Sequence, residues 1–271
     1  MQDPRSFWDK LDPKYRLILC DAWGVIHNGV RLESGVARRL LRWRSEGRLV
    51  IILTNAPRPP EVIQQQLERL GLPHDAVDAI VSSGGAGIAA LSALSGPVGF
   101  LGTEMDRHVL AEHGLVIAET DSFVELACIG FEEGRMDLAD YQQDLTRWAA
   151  RGVRMHCLNP DRVVVYGSRR LPCAGLLGDA YEALGGEVIW YGKPYEPIYR
   201  HAVALAGDPP ANQVLAVGDG LQTDMLGAAR MGLDAVFVTG GIHAGEDFPS
   251  DFGAQNGLGE WRPVAVVDGL A

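Results

Sequence analysis

The chain is poor in cysteine. Its four, Cys20, Cys128, Cys157 and Cys173, are too far apart in sequence for any pair to form a CxxC metal or redox motif. A reduced, cytoplasmic protein is the plain expectation. Also missing is any uninterrupted apolar run near the roughly 18 residues of a membrane span. The opening stretch "MQDPRSFWDKLDPKYR" is polar and charged, unlike a secretory signal. Positive charge is in deficit: 24 basic against 35 acidic residues give a net charge of −11, which argues against a general nucleic-acid binder. An anionic substrate is still compatible with that balance, because a bound cation inverts the local field. There is no internal repeat, low-complexity tract or long linker.

What remains is a chain of 271 residues, 47% of them hydrophobic, enough for one large or two moderate domains with a proper core. Short apolar, β-branched runs read as strands: 16–20, 49–54, 79–83, 97–101, 126–131, 154–159, 162–167, 187–192, 214–219, 235–240 and 264–269. Amphipathic helical patterns such as "SGVARRLLRWRSEG", "PEVIQQQLERLG", "DLADYQQDLTRWAARG" and "YEPIYRHAVALAG" lie between them. This alternation predicts an α/β protein with parallel sheets covered on both faces. Residues suited to chemistry cluster at strand ends near both termini and are sparse in the middle. The pattern predicts a core domain of residues 1–81 plus 188–271, with a second α/β domain, 82–187, inserted into it.

Four strand ends carry the functional signal. In "LILCDAWGV", Asp21 follows a buried run and Gly24 permits a turn beyond it; ligands of open α/β sheets bind at such carboxyl ends. The bland alternative is a turn or cap carboxylate. In "VIILTNAPR", Thr54 and Asn55 precede a helix whose N-terminus favours a phosphate oxygen, although either could simply cap that helix. In "WYGKPYEP", Lys193 is held between Gly192 and Pro194, well placed to neutralise an anion rather than to be solvated. In "VLAVGDGLQTDMLGA", Asp219 sits between glycines and Asp224 follows five residues later in a helix's first turn. Two carboxylates on one strand–turn–helix suit a hard cation such as Mg²⁺. Otherwise Asp224 would only complement the helix dipole.

Taken in this order, the four signals resemble the haloacid dehalogenase (HAD) superfamily, and within it the class IIA group of NagD-like and p-nitrophenylphosphatase-like hydrolases, over nearly the whole chain. "VSSGGAGIAAL" is similar to that group's entry into its cap domain, "CLNPDRV" to its Asn-Pro-Asp segment, and "LPCAGLLGDAYEALGG" to the helix leading to its Gly-Lys-Pro motif. The resemblance implies a Rossmann-like core with an inserted α/β cap. It implies that Asp21 attacks phosphorus to give an aspartyl-phosphate. Asp21, the Trp23 backbone carbonyl, Asp219 and Asp224 would hold Mg²⁺. Thr54 and the amides around Asn55 would bind the phosphoryl oxygens, and Lys193 would offset their charge. Asn159 and Asp161 would belong to a cap segment facing the site. The implied partner is a small phosphorylated metabolite, and cap-mediated homodimers are common in the group. The cap aromatics Trp148, Tyr166 and Tyr181 are read as packing.

The chain departs from the group's pattern at Trp23, where the phosphatases usually carry a second Asp that protonates the leaving oxygen and then deprotonates water. An indole N–H has no useful acidity. Positioned acid–base catalysis contributes about 10²- to 10⁴-fold, so a slow, leaving-group-dependent phosphatase is expected. His27, six residues after Asp21, is a candidate substitute. Two other readings are a non-catalytic binder of a phosphorylated metabolite and a HAD hydrolase of C–halogen or C–P bonds.

Overall fold

A computed structural model describes residues 7–166, 169–240 and 248–271; the first six residues of the N-terminal stretch lie outside the described residues. Two parallel sheets organise the chain. The larger contains β1 (Leu17–Cys20), β2 (Leu49–Thr54), β3 (Ala79–Ser82), β10 (Val214–Gly218), β11 (Asp234–Val238) and β12 (Ala265–Val267) in the order β12-β11-β10-β1-β2-β3. Its central strands are apolar on both faces because both faces are covered. Ile18, Cys20, Val50, Ile52, Leu215 and Val217 join one core cluster, with Val36, Leu40 and Trp43 of the helix Val36–Ser45. Their neighbours Leu17, Leu19, Ile51, Leu53, Val214 and Ala216 join the other, with Ile198, Tyr199 and Ala202 of the helix Glu196–Leu205. The period-two alternation of a strand thus distributes one run of hydrophobics between two cores.

The smaller sheet has the order β4-β5-β6-β9, from β4 (Gly99–Leu101), β5 (Glu125–Cys128), β6 (Arg154–Cys157) and β9 (Glu187–Trp190). The helix Ser83–Ser92 packs Ile88 and Leu91 with Ala127 and Ile129 of this second unit. One division expected from the sequence needs correction. β9 pairs in parallel with β6, so a boundary at 187/188 cuts a strand of the inserted sheet, and the chain returns through residues 191–193. A buried β-run carries no label for which of two sheets it joins, so only hydrogen bonding decides. A further strand, β8 (Arg169–Pro172), had no counterpart in the sequence reading. It pairs antiparallel with β7 (Val163–Tyr166) as a hairpin. The expected helix start in "GLQTDMLGA" is a single π-turn, Leu221–Met225, running into the helix Leu226–Arg230.

Ile52 is fully buried in β2, whose end carries Thr54. Ile52→Ala should destabilise the protein by about 2–5 kcal/mol. Urea unfolding checks this, with the midpoint falling and the slope unchanged.

Candidate active site

Asp21 follows β1 directly, Thr54 is the last residue of β2, and Asp219 follows β10. The register aligns Cys20 with Val217 on one side and Ile52 on the other, so these strand ends open on one edge of the sheet. The π-turn folds Asp224 back over the same edge. Asp21, Asp219 and Asp224 are all buried, and each offers a carboxylate oxygen within 4.8 Å of the others. Two glycines make this approach possible. A Cβ at Gly218 would lie 2.1 Å from Asp224 Cγ, and one at Gly220 would lie 2.0 Å from Thr223 Oγ1. Gly220 is therefore favoured by space and not by its backbone, whose φ of −89° is open to any residue.

Lys193 enters from the connection after β9. It is only 2% exposed, and its Nζ lies 2.7 Å from Asp21 Oδ1 and 2.7 Å from Asp224 Oδ1. Burial pulls the ammonium's pKa down, but the charges of Asp21 and Asp224 prevail and hold it well above the usual lysine value. Burial pushes the Asp21 carboxyl up, Asp224 adds to this, and Lys193 opposes it. The Ala22 N–H also donates to Asp21 Oδ1 at 2.7 Å. Asp224 Oδ2 accepts from the Gly220 N–H at 3.1 Å.

Asn55 works as a clasp. Its Oδ1 accepts from the Lys193 N–H at 2.7 Å, and its Nδ2 donates to Lys193 O at 3.0 Å and to Asp161 Oδ1 at 2.8 Å. Gly192 has φ +102°, and a Cβ there would strike Asn55 Oδ1 at 2.5 Å. Beyond the phosphoryl role expected for it, the Asn55 side chain joins the core, the returning chain and the inserted unit, contacts that no local sequence pattern marks. Asp161 lines the cavity, with its carboxyl raised by burial and lowered in part by the Asn55 hydrogen bond. Asn159 lies one step behind, its Oδ1 accepting from the Asp161 N–H at 3.2 Å. His27 is buried, its Nδ1 accepts from the Gly29 N–H at 2.9 Å, and burial lowers its pKa to about 4. The structure places it within the fold of the loop and not among the cavity-lining residues.

These residues surround a cavity of ≈ 370 Å³. Its floor is Asp21, Thr54, Lys193, Asp219 and Thr223, and Asn28, Arg31 and Glu33 also line it. Asp161 and three successive valines of β7, Val163, Val164 and Val165, supply the inserted unit's side. Trp23 also lines it. Its ring is 4.6 Å from that of His27 and 6.1 Å from that of Tyr166. Of the three aromatics read as packing, Trp148 and Tyr181 are buried, whereas Tyr166 is 49% exposed and meets Trp23 across the two units. The hairpin that carries Tyr166 was readable in principle: Gly-Ser separates the β-branched "VVVY" from "RRLP".

Together the fold and site define an α/β enzyme with an acidic cluster at the strand ends of a parallel sheet. Residues 18–116 match the family described as haloacid dehalogenase-like hydrolase, and residues 190–271 match the one described as HAD-hydrolase-like. A haloacid dehalogenase-like hydrolase from Brucella suis is 31% identical, with a TM-score of 0.84 and coverage of 100% of both chains. The ribonucleotide monophosphatase NagD of Escherichia coli is 26% identical over 237 residues, 86% of this chain and 91% of that protein. The fold is shared with the p-nitrophenyl phosphatase of Archaeoglobus fulgidus, 23% identical, TM-score 0.71, covering 94% of this chain and 97% of that one. The chain belongs to the haloacid dehalogenase-like hydrolases, in their NagD-like, class IIA group.

Removing the buried ammonium should expose the charge imbalance. Lys193→Met, in metal-free protein, should cost about 3–5 kcal/mol of stability at neutral pH. The loss should shrink as pH falls through the raised range of Asp21, because a folded-state pKa above the unfolded value favours the folded state at low pH. Denaturant titrations at several pH values check both the size and the sign.

Proposed function

We propose that this protein is a Mg²⁺-dependent hydrolase of small phosphate monoesters that works through an aspartyl-phosphate on Asp21. The observation that carries the reading is the cluster itself: three buried carboxylates converge at the sheet edge, beside one ammonium. The donor set is all oxygen and carries more negative than positive charge, which fits a hard divalent cation. Asp21, Asp219 and Asp224 would hold it, with the Trp23 backbone carbonyl as a further ligand. Bound there, Mg²⁺ would offset the negative charge of the phosphoryl group and of the acidic residues around it.

The chain's own residues divide the remaining work. Asp21 Oδ attacks phosphorus, and Lys193 stays beside it to stabilise the charge on nucleophile and phosphoryl oxygens. Thr54 and the backbone amides around Asn55 bind the equatorial oxygens. The inserted unit, through Asp161 and β7, closes the cavity and limits water. Trp23 donates no proton, so the acidity of the leaving group sets the rate of the first step. The phosphatase names of NagD and of the Archaeoglobus enzyme support the reaction class.

Purified protein should release phosphate from p-nitrophenyl phosphate when Mg²⁺ is present and stop when a chelator removes it. Asp21→Asn should lose turnover entirely while keeping its melting temperature within a few degrees. Residual activity of that variant would remove Asp21 from the nucleophile's role.

A further inference from the structure

We infer that Asp161, carried by the inserted unit, is the general base that activates water in the second half of the reaction, when the aspartyl-phosphate is hydrolysed. The inference rests on the phosphatase reading above and gives a residue to the one proton transfer which that reading leaves without an owner.

The direction of attack points to the inserted unit. Water must approach phosphorus in line with the bond to Asp21 that breaks. Asp21 lies in the floor of the cavity, so the water enters from the inserted unit's side. That side consists of Asp161, Val163, Val164 and Val165, and a valine takes no proton. The two oxygens of Asp161 are differently employed. Oδ1 accepts from Asn55 Nδ2 at 2.8 Å, whereas Oδ2 accepts from no group among the described residues and is left for water. Asn55 follows Thr54 directly, so Asp161 stands one hydrogen bond from the segment proposed to hold the phosphoryl oxygens.

A base is efficient only where it is held in place. The Asp161 main chain is clamped on both sides. Its N–H donates to Asn159 Oδ1 at 3.2 Å, and its carbonyl accepts from the Gly175 N–H at 3.0 Å. A Cβ at Gly175 would lie 2.5 Å from that carbonyl oxygen, so glycine lets the start of the helix Ala174–Ala183 come this close. Burial raises the Asp161 carboxyl, and the Asn55 hydrogen bond and the Lys193 charge oppose this in part. Such a carboxylate is a stronger base than an exposed aspartate. Glu33 also lines the cavity, but it belongs to the core, and no hydrogen bond anchors its carboxylate among the described residues.

The steps balance. In the first, RO⁻ leaves with the electron pair of its P–O bond and takes a proton from solvent. In the second, the water oxygen bonds to phosphorus as one of its protons passes to Asp161 Oδ2. The Asp21 O–P bond breaks, its electron pair returns to the Asp21 carboxylate, and phosphate leaves. Asp161 then gives its proton to solvent, replacing the one taken by RO⁻.

Rapid-quench kinetics of the Mg²⁺-loaded enzyme with p-nitrophenyl phosphate test this, because they follow formation and loss of the phosphoenzyme separately. Asp161→Asn keeps an oxygen for Asn55 Nδ2 and removes only the basicity. It should release a single equivalent of p-nitrophenolate at the wild-type rate, accumulate phosphoenzyme, and turn over about 10²- to 10⁴-fold more slowly. Asp161→Ala should also accumulate phosphoenzyme, and added formate, a small carboxylate base, should speed its loss. Wild-type loss of phosphoenzyme in folded Asp161→Asn protein overturns the inference alone. So does a first step slowed as much as the second, which marks a contact that closes the cavity and not a base. Phosphoenzyme trapped by Glu33→Gln in place of Asp161→Asn moves the base to Glu33 and overturns it as well. A wild type that releases no phosphate overturns the phosphatase reading itself.

Discussion

Lys193 Nζ touches Asp21 and Asp224 at 2.7 Å each, with Asp219 close by, in a place almost closed to water. Burying three carboxylates at one point is costly unless cations and hydrogen bonds compensate. Much of the local architecture supplies that compensation. The Ala22 and Gly220 amides donate to the carboxylates, and Asn55 fixes the Lys193 backbone from both sides. Gly218 and Gly220 leave the space into which Asp224 folds, and Gly192 leaves the space for Asn55. These glycines share no turn type. What unites them is that a side chain at any of the three would push apart groups whose charges must stay close.

Such a constraint explains what could be read from the sequence. Asp21, Lys193 and Asp219 stand out because each follows an apolar run, with glycine or proline beside Lys193 and Asp219 and Gly24 three residues after Asp21, while Asp224 is marked by its spacing from Asp219. Strand existence is similarly legible: the run from Leu17 to Cys20 or from Val214 to Gly218 is buried on both faces and shows it. What the one-dimensional pattern does not encode is partnership. The sheet to which Glu187–Trp190 belongs, the reach of Asn55 to Asp161 and the meeting of Trp23 with Tyr166 join residues more than 30 positions apart. The hairpin strand Arg169–Pro172 is marked in the sequence only by the Gly-Ser pair before it. Two arginines and a proline give it little β-character, and it is stabilised by pairing with β7.

Trp23 changes in meaning once its neighbours are known. As a missing carboxylate it is a deficit in proton transfer. As a ring fixed between His27 and Tyr166 it is also a piece of cavity wall and a contact between the two units. His27 shows why a loop histidine does not make up for the deficit. Its Nδ1 accepts from the Gly29 amide, burial keeps it neutral far below neutral pH, and it packs behind the indole. The imidazole thereby supports the orientation of Trp23 instead of replacing a carboxylate there.

The two N–H groups of the Asn55 amide are divided between the returning chain and the inserted unit. Nδ2 bonds both Lys193 O and Asp161 Oδ1. If the inserted unit swings away, one N–H keeps Lys193 O and the other must turn from Asp161 to water. Asp161 loses the hydrogen bond from Asn55 but passes to water, which favours its charged form over the buried one. Water would then serve both sides of that one hydrogen bond, whereas the Trp23–Tyr166 ring contact would be lost with it. Meanwhile Ser83 Oγ donates to Tyr191 O at 2.5 Å, tying the two strands of chain that cross between the units to each other. Motion about that tied crossing leaves the Asn55–Lys193 backbone bonds intact. The contacts that hold Lys193 in the acidic cluster are thus made by Asn55, Asp21 and Asp224, and none of them by the inserted unit.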